Sequence, residues 1–101
     1  MNLQPDFSQA LITLNSLFNV NVGLGDEVDK MLAPLVSEHR EVLQREYRTC
    51  LDDGRLGATE FQRFTACAAR DEPSARSFFE AVYRYAFEDG DEPDVTEYWN
   101  R

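Results

Sequence analysis

The stretch from Asp26 to Gly54, DEVDKMLAPLVSEHREVLQREYRTCLDDG, is the longest uninterrupted helical pattern in the chain. Apolar residues recur at Val28, Met31, Leu32, Leu35, Val36, Val42, Leu43, Tyr47, Cys50 and Leu51. These three-and-four spacings put one face of a helix into a core. Glu38, Arg40, Glu41, Arg45, Glu46 and Arg48 occupy the other faces, with Glu41 and Arg45 four apart in the favourable order. Gly25-Asp26 supplies an N-cap, and Glu27 and Asp29 suit the positive end of the helix dipole. At the other end Asp52-Asp53-Gly54 stops the helix, with Gly54 free to take the left-handed cap conformation. Pro34 interrupts the pattern: it either kinks a single helix or occupies the first turn of a second one, where its missing N–H costs nothing. The expected arrangement is a short helix from Asp26 to Ala33 and a main helix over 34–53, a rod of about 30 Å. Everything else reads as shorter pieces laid against that rod.

The first of those pieces is a helix from Pro5 to Phe18 with Phe7, Leu11, Leu14 and Phe18 as its apolar stripe. Its other face, Ser8, Gln9, Thr13, Asn15 and Ser16, is polar and carries no charge. Residues 19–25, NVNVGLG, form a connector. A third helix runs from Glu60 to Arg70, capped by Thr59, with Phe61, Phe64, Cys67 and Ala68 facing inward. Asp71-Glu72-Pro73 breaks it, and Asp71 or Ser74 caps a fourth helix from Pro73 to Glu88. Phe78, Phe79, Val82, Tyr83, Tyr85, Ala86 and Phe87 cover most of the circumference of that fourth helix, which places it centrally in the core or in an interface. The fold expected is therefore all-α: a compact bundle of about four helices over residues 1–88, followed by an acidic and aromatic C-terminal tail over 89–101.

A chain of 101 residues that is 43% hydrophobic supports one domain with one modest core. It contains no apolar run long enough to span a membrane, and its N-terminus lacks the basic segment and cleavage site of a secretory signal. The expected location is the cytoplasm. Ten basic residues against nineteen acids leave a net charge of −9. That balance argues against direct contact with nucleic acid or an anionic membrane, both of which call for positive patches. It favours a partner with a basic surface. The two cysteines, Cys50 and Cys67, lie on the apolar sides of different helices and read as two buried thiols, not a disulfide framework.

Four groups of residues invite a chemical reading. Glu88, Asp89, Asp91, Glu92, Asp94 and Glu97 crowd six carboxylates into ten residues, and Tyr98 and Trp99 follow directly. Acids of this density with aromatic anchors beside them make a contact surface for a basic protein; the other expectation for Tyr98 and Trp99 is that they fold back over the core. The connection from Asp53 to Phe61 resembles the second half of an EF-hand calcium loop. Gly54 stands at the invariant glycine place, Asp53 just before it, Leu56 at the apolar eighth place and Glu60 at the twelfth, where the bidentate ligand belongs. Thr49 and Leu51 stand at the first and third places, where the motif carries Asp or Asn. The resemblance implies a calcium-responsive helical protein; a capped helix–turn–helix corner is the plainer reading. His39, the single histidine, falls on or beside the apolar stripe of the long helix. It is expected as a partly buried structural residue, with a base–nucleophile pairing to Cys67 as the catalytic alternative.

No glycine-rich phosphate loop, nucleophile elbow or zinc spacing is present. The sequence thus assigns no catalytic residue, no metal ligand and no cofactor. The leading expectation is a non-enzymatic binding module, an inhibitor or accessory subunit that presents Glu88–Glu97, Tyr98 and Trp99 to a basic partner surface such as a nucleic-acid-binding site. A homodimer is compatible with it.

Overall fold

The computed structural model describes residues 7–19 and 26–100. It contains four α-helices: α1 (Gln9–Ser16), α2 (Asp26–Asp52), α3 (Ala58–Thr65) and α4 (Glu72–Phe87), with a 3₁₀ turn at Val95–Glu97. The all-α bundle expected from sequence is the fold. Its Cα radius of gyration, 12.8 Å, is that of a packed domain of this length.

The long helix continues through Pro34, so the short helix expected over Asp26–Ala33 is the N-terminal part of α2 and not a separate element. Proline removes one backbone hydrogen bond, that to the carbonyl four residues earlier, while the bonds on either side still form. The C-terminal end is as the sequence predicts. Gly54 takes φ +72°, and its N–H and that of Arg55 close the helix on the carbonyls of Leu51 and Cys50.

At α1 the start falls later than expected. Ser8 is the N-cap and its Oγ accepts from the N–H of Leu11 at 3.2 Å. Pro5 lies outside the described residues. Glu46 of α2 accepts from both the N–H and the hydroxyl of Ser8, which pins this helix start to the rod. The third helix begins and ends earlier than predicted, at Ala58 and Thr65. The Glu60 carboxylate reaches back to the N–H of Gly57 at 2.9 Å, so Gly57 is the cap and Thr59 sits in the first turn. Ala66 then turns left-handed at φ +67° and ends the helix. Asp71 is the cap of α4, accepting from the N–H of Ser74 at 2.8 Å.

Phe78, fully buried on α4, is the centre of the core. Its ring meets Phe18 at 5.6 Å, Phe61 at 5.0 Å, Phe79 at 5.2 Å and Tyr98 at 5.6 Å. It therefore joins the end of α1, α3 and the C-terminal segment to α4. A second aromatic group, Tyr47, Tyr83 and Phe87, locks α2 against α4. The fourth helix is thus central, which is why its sequence is apolar nearly all round.

On α2 the buried line is Val36, Leu43, Tyr47 and Cys50. Val42, expected on that stripe, is 67% exposed, because it lies about 100° round the helix from Leu43. His39 is exposed as well, its Nε2 3.8 Å from Glu38, and is not the partly buried residue expected. At this level of the helix it is Arg40 that faces α4, donating to the Phe87 carbonyl at 2.8 Å.

Asn15 and Thr65 are the buried polar residues among those described, and Thr65 donates to the Phe61 carbonyl at 2.7 Å. Asn15 accepts from the Tyr47 hydroxyl at 2.7 Å, and its Nδ2 has no partner among the described residues. Burial pushes the Tyr47 phenol well above its ordinary pKa, so it stays a donor. Tyr47→Phe leaves the Asn15 carbonyl unpaired as well, and urea denaturation should show a loss of about 1–3 kcal/mol. Adding Asn15→Leu should recover part of it.

Asp71 titrates below its ordinary value of 3.8 because it accepts hydrogen bonds from Ser74. A depressed carboxyl stabilises the fold above its unfolded pKa and loses that contribution as pH falls through the folded value. Asp71→Ala should therefore lower Tm at pH 7, and the gap from the parent protein should close as the pH drops below 3.8.

Candidate functional site

The end of α4 determines where the acidic segment goes. The N–H groups of Glu88 and Gly90 both donate to the carbonyl of Arg84 at 2.8 Å. Asp89 sits at φ +59°, a left-handed conformation that aspartate tolerates better than most residues. A side chain at Gly90 would meet the Arg84 backbone at 3.0 Å, so the close return of the chain depends on glycine there. From Gly90 the chain runs back along the bundle. Asp94 caps the 3₁₀ turn, accepting from the N–H and the hydroxyl of Thr96 at 3.0 and 2.7 Å.

The fully buried Val95 anchors this segment in the core. Beyond it, the N–H of Arg70 donates to the Tyr98 carbonyl at 2.9 Å and that of Asn100 to the Ala68 carbonyl at 2.8 Å. These two bonds frame an antiparallel bridge between Ala69 and Trp99. The Arg70 guanidinium adds a bond to the carbonyl of Glu97 at 2.8 Å.

The result is a groove of about 410 Å³ between α4 and the returning segment. Asp91, Glu92, Asp94, Glu97 and Tyr98 line it, with Ala81 and Arg84 on the helix side and Gly90 and Pro93 at the bend. Asp91, Asp94 and Glu97 are exposed and Glu92 is half-buried. Glu88 and Asp89 are exposed at the end of α4, outside the groove lining. Arg84 stands 3.9 Å from Glu80 along its own helix. Four carboxylates against one guanidinium give the groove an acidic field, and its concave shape focuses that field on a cation.

Tyr98 and Trp99 are half-buried, Tyr98 against Phe78 and Trp99 beside Cys67 and Ala68 in a second, more apolar groove. The structure therefore brings Asp91, Glu92, Asp94, Glu97 and Tyr98 together and sets Glu88, Asp89 and Trp99 apart from them. Arg84 was legible only as part of the polar strip of α4. That it faces the acids follows from the reversal at Asp89-Gly90.

The EF-hand resemblance does not extend to the geometry. Thr49 and Leu51 lie within the last turn of α2, Glu60 is committed to capping Gly57, and Asp52 pairs with Arg48 at 2.8 Å. Among the described residues no three His, Cys, Asp or Glu side chains are grouped to hold a metal ion. Nor, among them, is any helix long and apolar enough to cross a membrane. The chain matches no protein-family model, no curated protein and no solved structure.

Cys50 is buried as expected, while Cys67 is half-buried; both are free thiols. Burial raises the pKa of each. A raised thiol pKa is the reverse of what activates a nucleophile. In a Cys50→Ala background, Cys67 should react with iodoacetamide at neutral pH more slowly than in the denatured chain. Its rate should climb as pH passes the ordinary thiol value of 9.0. Fast alkylation below neutral pH would contradict this account.

Proposed function

We propose that this chain is a non-enzymatic binding module of the cytoplasm that docks on a basic protein surface and acts as an inhibitor or accessory subunit. The observation that carries the reading is the groove in which Asp91, Glu92, Asp94 and Glu97 converge beside Tyr98. A lysine or arginine side chain entering it meets carboxylates on one wall and an aromatic edge on another. The net charge of −9 steers the approach of such a partner over a longer range. Glu88 and Asp89 extend the acidic surface past the end of α4. Tyr98 contributes as a groove wall, and Trp99, in the second groove beside Cys67 and Ala68, widens the contact. A nucleic-acid-binding protein is a partner whose surface has the required charge, since it already presents rows of Lys and Arg to phosphates. The chain would occupy that surface in place of the nucleic acid.

Affinity capture from a lysate of the source cells at low salt, followed by a salt wash, tests this reading. A basic protein that elutes with salt is the expected result, because contacts between exposed charges are screened within about 8 Å at physiological ionic strength. Asp91→Asn with Glu97→Gln removes two exposed groove carboxylates that cap no backbone. This double variant should weaken binding several-fold and flatten its salt dependence. Binding that is indifferent both to salt and to these substitutions would overturn the proposal.

A further inference from the structure

A different surface carries a separate inference. Among the described residues, the large hydrophobic side chain that stands exposed is Val42, at 67%. Around it on α2, Glu38, Glu41, Arg45 and Thr49 are exposed among the described residues. On that face the charges are ordered along the helix. Glu38 and Glu41 precede Val42 and Arg45 follows it, while Glu46, four residues after Val42, is engaged by Ser8. Glu38 and Arg45 are 74% and 75% exposed at the side chain. Their contacts within the chain are long, 3.8 Å from Glu38 to His39 and 3.9 Å from Arg45 to Glu41. Pairs of that kind contribute little and re-form with a new partner at little cost. Arg48, by contrast, is held at 2.8 Å by Asp52 and lies over the Tyr83 ring at 5.3 Å.

We infer that α2 is a self-association surface: a second copy packs antiparallel against it across a two-fold axis at Val42. Glu38 lies four residues before Val42 and Arg45 three residues after it. Antiparallel docking therefore sets Glu38 of each copy opposite Arg45 of the other, with the two Val42 side chains meeting at the axis. An isologous interface requires such a self-complementary patch. A purely basic or purely acidic partner matches only half of it, whereas a second copy matches both halves. An open groove of about 350 Å³ between Glu41, Arg45, Thr49 and Tyr83 flanks the stripe and leaves room for the facing side chains. No residue of this surface lines the acidic groove, so self-association and docking of a basic partner are compatible. A single helix-on-helix contact is smaller than a standard interface of ~1,200–2,000 Å², which makes this a weak, reversible dimer, with dissociation on the order of 100 μM.

Sedimentation equilibrium of the full chain from about 10 μM to about 1 mM, a range spanning that dissociation constant, tests the inference. Concentration-dependent dimerisation is expected. Val42→Asp, Glu38→Arg and Arg45→Glu should each weaken it roughly tenfold, since each change acts twice across a two-fold axis. Circular dichroism verifies that the variants remain folded. The double variant Glu38→Arg/Arg45→Glu should dimerise again. Mixing the two single charge variants should give a heterodimer in preference to either homodimer. A chain that stays monomeric throughout the range overturns the inference. So does a dimer that tolerates Val42→Asp, or a double variant that fails to recover, because each places the contact elsewhere.

Discussion

The ring of Phe78 holds this bundle together. It is fully buried, and four other aromatic rings from different parts of the chain meet it edge-on or nearly so. Contacts of this geometry contribute beyond the burial of area alone, about 0.5–1.5 kcal/mol for each pair. More important is where the partners come from. Phe18 follows α1, Phe61 belongs to α3, and Tyr98 lies near the end of the chain. One side chain thus closes contacts that are distant in sequence, and the eight-residue helices α1 and α3 owe their stability to that packing. Helices so short are marginal on their own.

The acidic groove is a consequence of the same cluster. Tyr98 on Phe78 and the buried Val95 bring the C-terminal segment back onto the bundle. The backbone bonds between Ala68–Arg70 and Tyr98–Asn100 hold it there. Only then do Asp91, Glu92, Asp94 and Glu97 form one wall of a cavity whose other wall is α4. The repulsion among these acids is offset in part by the commitment of Asp94 to Thr96 and by the nearby Arg84. Apolar anchoring at both ends of the segment allows its middle to remain charged. The long helix plays the opposite part. Among its described residues it leaves one charged flank exposed, with Val42 in the middle of it.

Periodicity was a good guide wherever a helix has one face to bury. Val36, Leu43, Tyr47 and Cys50 on α2, Phe61 and Phe64 on α3 and the apolar girth of α4 could be read from spacing, and so could the left-handed Gly54, whereas Cys67 and Ala68, expected to face inward on α3, lie beyond its end with Ala68 exposed. It misled where two signals compete for one position. At Pro34 the local penalty of proline suggested a break, yet the surrounding backbone bonds carry the helix through. At Thr59 a good capping residue lost to Gly57, because Glu60 is spaced to satisfy the Gly57 N–H. Val42 and His39 looked like stripe residues, since three-and-four spacing does not say which side of a broad stripe faces the neighbouring helix. Of the candidate site, the carboxylates were legible as a dense run, but their shared concavity was not.

What the sequence determined by itself is the set of local choices: the helices, the left-handed close of the long one at Gly54, most of their buried positions, and a strong excess of acid gathered near the C-terminus. Those follow from side-chain chemistry within a few turns of chain. Tertiary structure alone decided which of those acids share a groove, that Arg84 faces them, and that Val42 looks outward. Each depends on a contact between residues far apart in the chain, such as Tyr98 on Phe78 or Trp99 beside Ala69. Such contacts form only when the closure of the core repays the entropy of bringing distant segments together, and a local reading of the sequence carries no information about that balance.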